Sequence, residues 1–154
     1  PPVPSSSWLL FSVILWFNYN LGSSFSGVKA EDSWLLQPQR SVLVRIGDVL
    51  HLKCQVFDNF TPGPVKWFLI EEPQWKVIYQ DIQTDEADER IKRDYPNSNT
   101  DFTISIYNVT LEDAGTYCCV KEKRDVRGSK VLLGGPGTRV VNMTIYVCWV
   151  TLMK

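Results

Sequence analysis

Two cysteines and the residues spaced around them constrain this chain more than anything else in it. Cys54 and Cys119 stand 65 positions apart, Trp67 follows the first by thirteen, and Asp113-Ala114-Gly115-Thr116-Tyr117 ends two residues before the second. Each cysteine lies in a run that alternates apolar and polar residues, the period of a half-buried strand. In residues 49–56, Leu50, Leu52, Cys54 and Val56 share one face, while Val49, His51, Lys53 and Gln55 share the other. In 115–121, Tyr117 and Cys119 fall inward and Cys118 outward. In 65–70, Val65, Trp67 and Leu69 take the inward face, so Trp67 and both cysteines of the pattern point into one core.

The rest of the chain from Ser41 onward has the same texture of short alternating blocks broken by turn residues, which predicts an all-β domain. Gly47-Asp48 precedes the first cysteine strand, and a Pro- and Gly-containing loop over 59–64 follows it. A strand is expected at 76–80. Residues 81–94 carry charges of both signs and read as a solvated edge. Another strand covers 101–106, with Phe102, Ile104 and Ile106 inward. After Gly134-Gly135-Pro136-Gly137 a last strand runs from Thr138 to about Tyr146. Of the 154 residues, 31–145 are enough for one domain with a real core and too few for two.

The combination of inward cysteines, inward tryptophan and Asp-Ala-Gly-Thr-Tyr resembles the immunoglobulin fold, in which a disulfide ties two sheets, the tryptophan packs on it, and the tyrosine hydroxyl bonds back to the chain at the corner before its strand. The resemblance implies a Cys54–Cys119 disulfide and makes Trp67, Asp113, Gly115 and Tyr117 fold residues. The long interval from Trp67 to Cys119 leaves room for the extra edge strands of the variable type, and Gly135-Pro136-Gly137-Thr138 matches the bulge that opens the last strand of variable domains. The fold expected is thus a variable-type (V-set) two-sheet β-sandwich. In such domains Asp113 pairs with an arginine at the start of the fourth strand, with Arg90 the first candidate and Arg93 the second. Two cysteines are left over. Cys148 lies eleven residues beyond Gly137, about 35 Å along an extended strand, whereas a disulfide needs Cα atoms within about 7 Å. Cys118 and Cys148 are therefore expected not to bond to each other within one domain.

The compartment follows from the first thirty residues. Trp8 to Phe17 is an apolar run of signal-peptide length, too short to cross a bilayer, and Val28 and Ala30 place a cleavage site before Glu31. Residues 1–30 are read as a signal peptide with an incomplete start and 146–154 as a tail, which makes the product secreted or exposed at the outer face of the plasma membrane. Sequons at Asn59, Asn108 and Asn142 agree with that route; glycans are expected on Asn59 and Asn108, whereas aligning Gly137-Thr138 with the variable-domain bulge turns Val140 and Asn142 to the inward face, which a glycan could not occupy. Sixteen Lys and Arg against seventeen Asp and Glu, for a net charge of −1, argue against nucleic acid as a partner. The cysteine spacing and the single histidine, His51, argue against a metal site or other cofactor. Catalysis is not expected, since His51 has no nucleophile or carboxylate partner evident in the sequence and Cys118 no neighbouring histidine.

Residues 31 to about 143 resemble, more narrowly, the N-terminal variable domain of signal-regulatory proteins, which are immune receptors. The matching pieces are Gln37-Pro38, Ser41-Val42-Leu43-Val44 with Gly47, Gly63-Pro64-Val65-Lys66-Trp67-Phe68, Ile78-Tyr79, Asp101-Phe102-Thr103-Ile104, Asn108-Val109-Thr110 and Asp113 to Lys121. The resemblance implies recognition of a cell-surface protein through the tip loops; in the best-known members that ligand is the integrin-associated protein. Carried over by position, the ligand candidates are Phe60, Thr61, Pro62, Gly63 and Lys66 around the first loop, with Lys121, Lys123 and Arg124 in the last. Substituting Phe60 or Lys121 is expected to weaken binding with little effect on melting. Two departures from the pattern matter. A glycan on Asn59 would screen the first loop, and the segment from Arg90 to Asp101 is shorter than in the family. The rival readings are an antigen-receptor variable domain that pairs with a second one across its Phe68 face, and a homophilic adhesion module.

Overall fold

A computed structural model describes residues 27–30, 33–58, 61–81 and 87–143. Asn59, Phe60, Cys148 and the apolar run 8–17 lie outside the described residues. The front layer is a mixed sheet in the order β3 (Ser41–Val44), β12 (Thr138–Asn142), β10 (Gly115–Asp125), β6 (Val65–Glu71) and β7 (Gln74–Gln80). Its neighbours are antiparallel except β3 and β12, which run parallel. A further strand, β11 (Gly128–Gly134), pairs with the far half of β10 as a hairpin. The back layer holds β4 (Leu50–Leu52), β9 (Ile104–Ile106) and β8 (Ile91–Arg93). Beyond Cys54 the chain of β4 continues as β5 (Gln55–Phe57), which pairs with β2 (Ser33–Leu36), and β2 in turn with β1 (Gly27–Ala30). The cleavage expected after Ala30 would remove β1 and leave β2 in place.

The inward faces read from the sequence meet between these layers. Leu35, Leu50, Leu52, Val56, Ile104 and Ile106 close against Val65, Trp67, Leu69, Tyr117 and Val140, all buried. Each such side chain contributes roughly 1.5–3 kcal/mol by leaving water. Cys54 and Cys119 are joined across the core with their Cα atoms 6.4 Å apart. Trp67 lies in the same core and donates its Nε1–H to the Phe102 carbonyl at 2.8 Å. The Tyr117 hydroxyl donates to the Asp113 carbonyl at 2.7 Å, and burial pushes its pKa up, so it stays a donor. With β7 as an additional edge strand next to β6, the chain is a V-type sandwich, as the spacing after Trp67 predicts.

A buried amide locks the opening of the last strand. Gln37 Nε2 donates to the Tyr117 carbonyl and to Thr138 Oγ1, both at 2.8 Å, and its Oε1 accepts the Cys119 N–H at 3.1 Å. A Cβ at Gly135 would sit 2.0 Å from Gln37 Oε1, so glycine is required there by close approach. Gly137 takes φ +87°, within the left-handed region that glycine tolerates. The glycine pattern before Thr138 thus answers to one glutamine side chain and one turn.

Several boundaries differ from the sequence reading. The strand expected over 49–56 is interrupted at Lys53 and Cys54, because its two halves have different neighbours: β4 pairs with β9, and β5 with β2. The charged stretch 81–94 contains β8, whose Ile91 enters the core. In 101–106 the alternation fails, since Thr103 and Ser105 are buried as well as Ile104 and Ile106. Ser105 is covered from outside by His51 and Asp94, which both contact its hydroxyl. His51 therefore has the carboxylate neighbour that its sequence context did not reveal, with Nδ1 3.4 Å from Asp94. The last strand is assigned to Asn142, and residues from 144 onward lie outside the described set. Cys118 occupies the outer face of the sheet as expected, yet it is buried there, its Sγ 3.1 Å from the Gly135 carbonyl, and burial pushes its thiol pKa up.

Candidate functional site

One end of the sandwich is built from the loop between β5 and β6 and from the β10–β11 hairpin. The loop runs beside the hairpin as an irregular extra strand: Glu122 N–H donates to the Pro64 carbonyl at 2.9 Å and Arg124 N–H to the Pro62 carbonyl at 2.7 Å. Two prolines suit this place, since an edge segment that only accepts bonds loses nothing from their missing N–H. Between them Gly63 takes φ +147°, and a Cβ on it would lie 2.0 Å from the Glu122 carbonyl oxygen. Only glycine lets the loop come this close. Asp58 Oδ1 accepts the Thr61 N–H at 3.1 Å and holds the near side of the loop.

The side chains at this end divide into a locked set and a free one. Lys121, expected to be a ligand contact, is 7% exposed. Its Nζ donates to the Gly63 carbonyl and stands 4.0 Å from the Asp58 carboxylate, whose side chain is fully buried. Burial lowers the Lys121 pKa and Asp58 partly restores it. Lys121 is thus a strut beneath the loop, because the inward face of β10 continues past Cys119 into the space that the loop closes. Lys66 is half-buried and pairs with Glu122 at 3.0 Å. Pro62, Lys123 and Arg124 are exposed, and Thr61 and Gly63 partly so. Phe60 lies outside the described residues. The register of the hairpin adds one cation not assigned to the tip from the sequence, Lys130 directly opposite Lys123, with Arg127 in the turn between them. Counting back across the tight turn at Val126-Arg127 would have found Lys130; nothing in the linear pattern announced Asp58.

The opposite end carries the ion pair expected of Asp113. Arg90, the first candidate, meets it in a fork, with Nη1 2.9 Å from Oδ2 and Nη2 3.1 Å from Oδ1, while Arg93 pairs with Asp81 instead. Burial by itself raises the Asp113 pKa, but the Arg90 fork, the Thr110 N–H and the Arg90 charge outweigh it and hold the carboxyl below its ordinary value. Since the unfolded value is about 3.9, the contribution of the ionised carboxylate is fully present above that pH. It is lost as the pH falls through the lower folded value. Asp113→Asn is therefore expected to melt well below the wild type at neutral pH, with the gap closing as pH falls from about 5 toward 2. Thermal melts across that range check it, and a gap independent of pH would mean that the carboxylate charge contributes nothing.

The sequons separate by exposure. Asn108 is exposed in a turn at φ +53°, open to a glycan. Asn142, read as an acceptor from its triplet, is 1% exposed on the inward face of β12, and the folded domain has no room for a glycan there. Val140, two residues earlier on the same face of β12, is buried in the core.

Residues 37–134 match the family model described as the immunoglobulin V-set domain. The chain is 36% identical over 111 residues to bovine "tyrosine-protein phosphatase non-receptor type substrate 1", covering 69% of this chain and 21% of that protein. It is 34% identical over 145 residues to human "signal-regulatory protein beta-1", covering 90% of this chain and 35% of the relative. A mouse protein, "CMRF35-like molecule 6", is 34% identical over 83 residues, 49% of this chain and 34% of its own length. The chain spans between a fifth and about a third of the length of these relatives. Both family and relatives point to a receptor domain at the cell surface or outside the cell and not to an enzyme, and among the described residues no helix is long and apolar enough to cross a membrane. With its core disulfide, its Trp67 and Tyr117 contacts and its V-set match, the chain belongs to the immunoglobulin V-set family, as an immune-receptor domain of the signal-regulatory protein kind.

Proposed function

We propose that this domain binds a protein on another cell surface through the end formed by the first loop and the β10–β11 hairpin. The observation that carries the reading is the division of that end. Asp58, Gly63, Lys121 and the Lys66–Glu122 pair make a rigid frame, and Pro62, Lys123 and Arg124 stand exposed on it. A preformed frame lowers the ordering cost of binding. Resemblance to the signal-regulatory proteins makes the integrin-associated protein the first ligand to try. Surface plasmon resonance against its ectodomain is expected to show binding that Lys123→Glu with Arg124→Glu weakens by about tenfold or more, the scale of lost charge pairs at an interface. Melting is expected to stay near that of the wild type, since both side chains are exposed. Binding unchanged in that variant would sink the tip reading.

A second reading rests on a different surface. On the outer face of β6 and β7, Trp75 is 55% and Val77 43% exposed, and Phe68 packs edge-on against Trp75 with ring centroids 5.8 Å apart. Such a patch suits pairing with another variable domain, as in antigen receptors, or with a second copy in adhesion. Sedimentation that shows concentration-dependent dimers, abolished by Trp75→Lys, would favour it over the tip.

A further inference from the structure

Four cations of the domain stand against carboxylates at close range: Lys66 against Glu122, Lys121 against Asp58, Arg90 against Asp88 and Asp113, and Arg93 against Asp81. The far end of the β10–β11 hairpin instead gathers four cations with no such neighbour among the described residues. Lys123 and Lys130 are cross-strand partners, Arg124 precedes Asp125, and Arg127 lies in the turn between Asp125 and Gly128. All four are exposed, and among the described residues none takes part in an ion pair. Two like charges directly opposite each other on a ladder disfavour the pairing. Asp125, the one acid in this stretch, accepts the Arg127 N–H at 2.6 Å and so serves the turn. A local excess of positive charge therefore sits on a chain whose formal net charge is −1.

Its distribution distinguishes between anionic partners. Successive strand residues point to opposite faces, so the Lys123–Lys130 pair lies on one face of the ribbon, Arg124 on the other, and Arg127 at the apex. A rigid protein surface reaches one face of such a ribbon at a time. A flexible linear polyanion can follow the apex and meet all four.

We propose that the hairpin end is a binding site for linear sulfated polysaccharide of the cell surface, with sulfate oxygens accepting hydrogen bonds from Lys123, Arg124, Arg127 and Lys130. Binding of this kind is driven by release of counterions from the polyanion and weakens steeply with salt. The site shares Lys123 and Arg124 with the protein surface proposed above, but it does not rest on that reading and stands whether or not a protein ligand is found.

The test uses the secreted full chain on immobilised heparin, with a plain sulfonate resin of matched charge density beside it. The wild type is expected to be held by heparin at physiological salt and to pass through the sulfonate resin, since its net charge gives no general retention. Lys123→Ala with Lys130→Ala is expected to weaken heparin affinity by about tenfold or more and to lower the slope of log affinity against log salt by about 2. Lys123→Arg with Lys130→Arg, which keeps the charges, is expected to retain binding, and equal melting temperatures confirm that all variants are folded. Wild type that passes through heparin, the Ala variant eluting with wild type, or equal retention on both resins would each overturn the proposal. Binding to an acidic protein without any to heparin would assign these cations to the protein ligand instead.

Discussion

Cys54→Ser is expected to leave the chain largely unfolded at 37 °C and to cut its secreted yield sharply. The bond closes a loop with a sequence separation of 65, and the loop-entropy model sets its contribution at about 4 kcal/mol. A single domain's whole margin is about 5–15 kcal/mol. The variant also leaves a hydroxyl and the Cys119 thiol at the centre of the core, where both positions are fully buried against Trp67 and its neighbours. No other contact among the described residues joins the two layers covalently. The Cys54→Ser, Cys119→Ser double variant separates the lost cross-link from the stray thiol. If that double variant melts within a few degrees of the wild type, the two sheets hold without the bond and the estimate is wrong.

Lys121→Ala is expected to destabilise the domain by about 3 kcal/mol, the scale for removing one member of a buried ion pair, and so to lower the melting temperature by roughly 10 °C or more. The Asp58 side chain is fully buried and would lose its nearby cation, and the Gly63 carbonyl would lose a charged donor. This reverses the expectation drawn from position alone, under which Lys121 touches ligand and its loss leaves melting unchanged. Ligand affinity would fall too, because the first loop would no longer be held against β10. The two roles are told apart by Asp58→Asn in the Lys121→Ala background, which removes the stranded charge. Partial recovery of melting marks a strut. A Lys121→Ala protein that melts like the wild type but fails to bind would return the residue to the ligand surface.

The sequence by itself determined the frame of this protein. Strand period placed Cys54, Trp67, Tyr117 and Cys119 inward, and the spacing of those four named the sandwich. The Gly135-Pro136-Gly137-Thr138 run placed the last strand in register and turned Asn142 inward, and Arg90 was named ahead of Arg93 as the partner of Asp113. These features are legible because they repeat at intervals set by backbone geometry, two residues per pleat and a few per turn, and a linear pattern records intervals directly. Tertiary structure alone decided which polar groups were spent on the fold and which were left exposed. Lys121 and Lys123 are alike in sequence and both project from β10. One points where the 58–64 loop closes over Asp58, and the other lies beyond that cover, opposite Lys130. Gln37 read as a family match only, yet it bonds to the backbone of Tyr117 and Cys119 on β10 and to the Thr138 hydroxyl on β12, 80 to 101 positions away. Ser105 lost its solvent-facing status through His51 and Asp94, neighbours across the sheet that cover its hydroxyl. A side chain's surroundings come from segments distant in sequence, so its charge and spacing leave open whether it is buried, and burial determines whether a lysine supports the loop or meets a ligand.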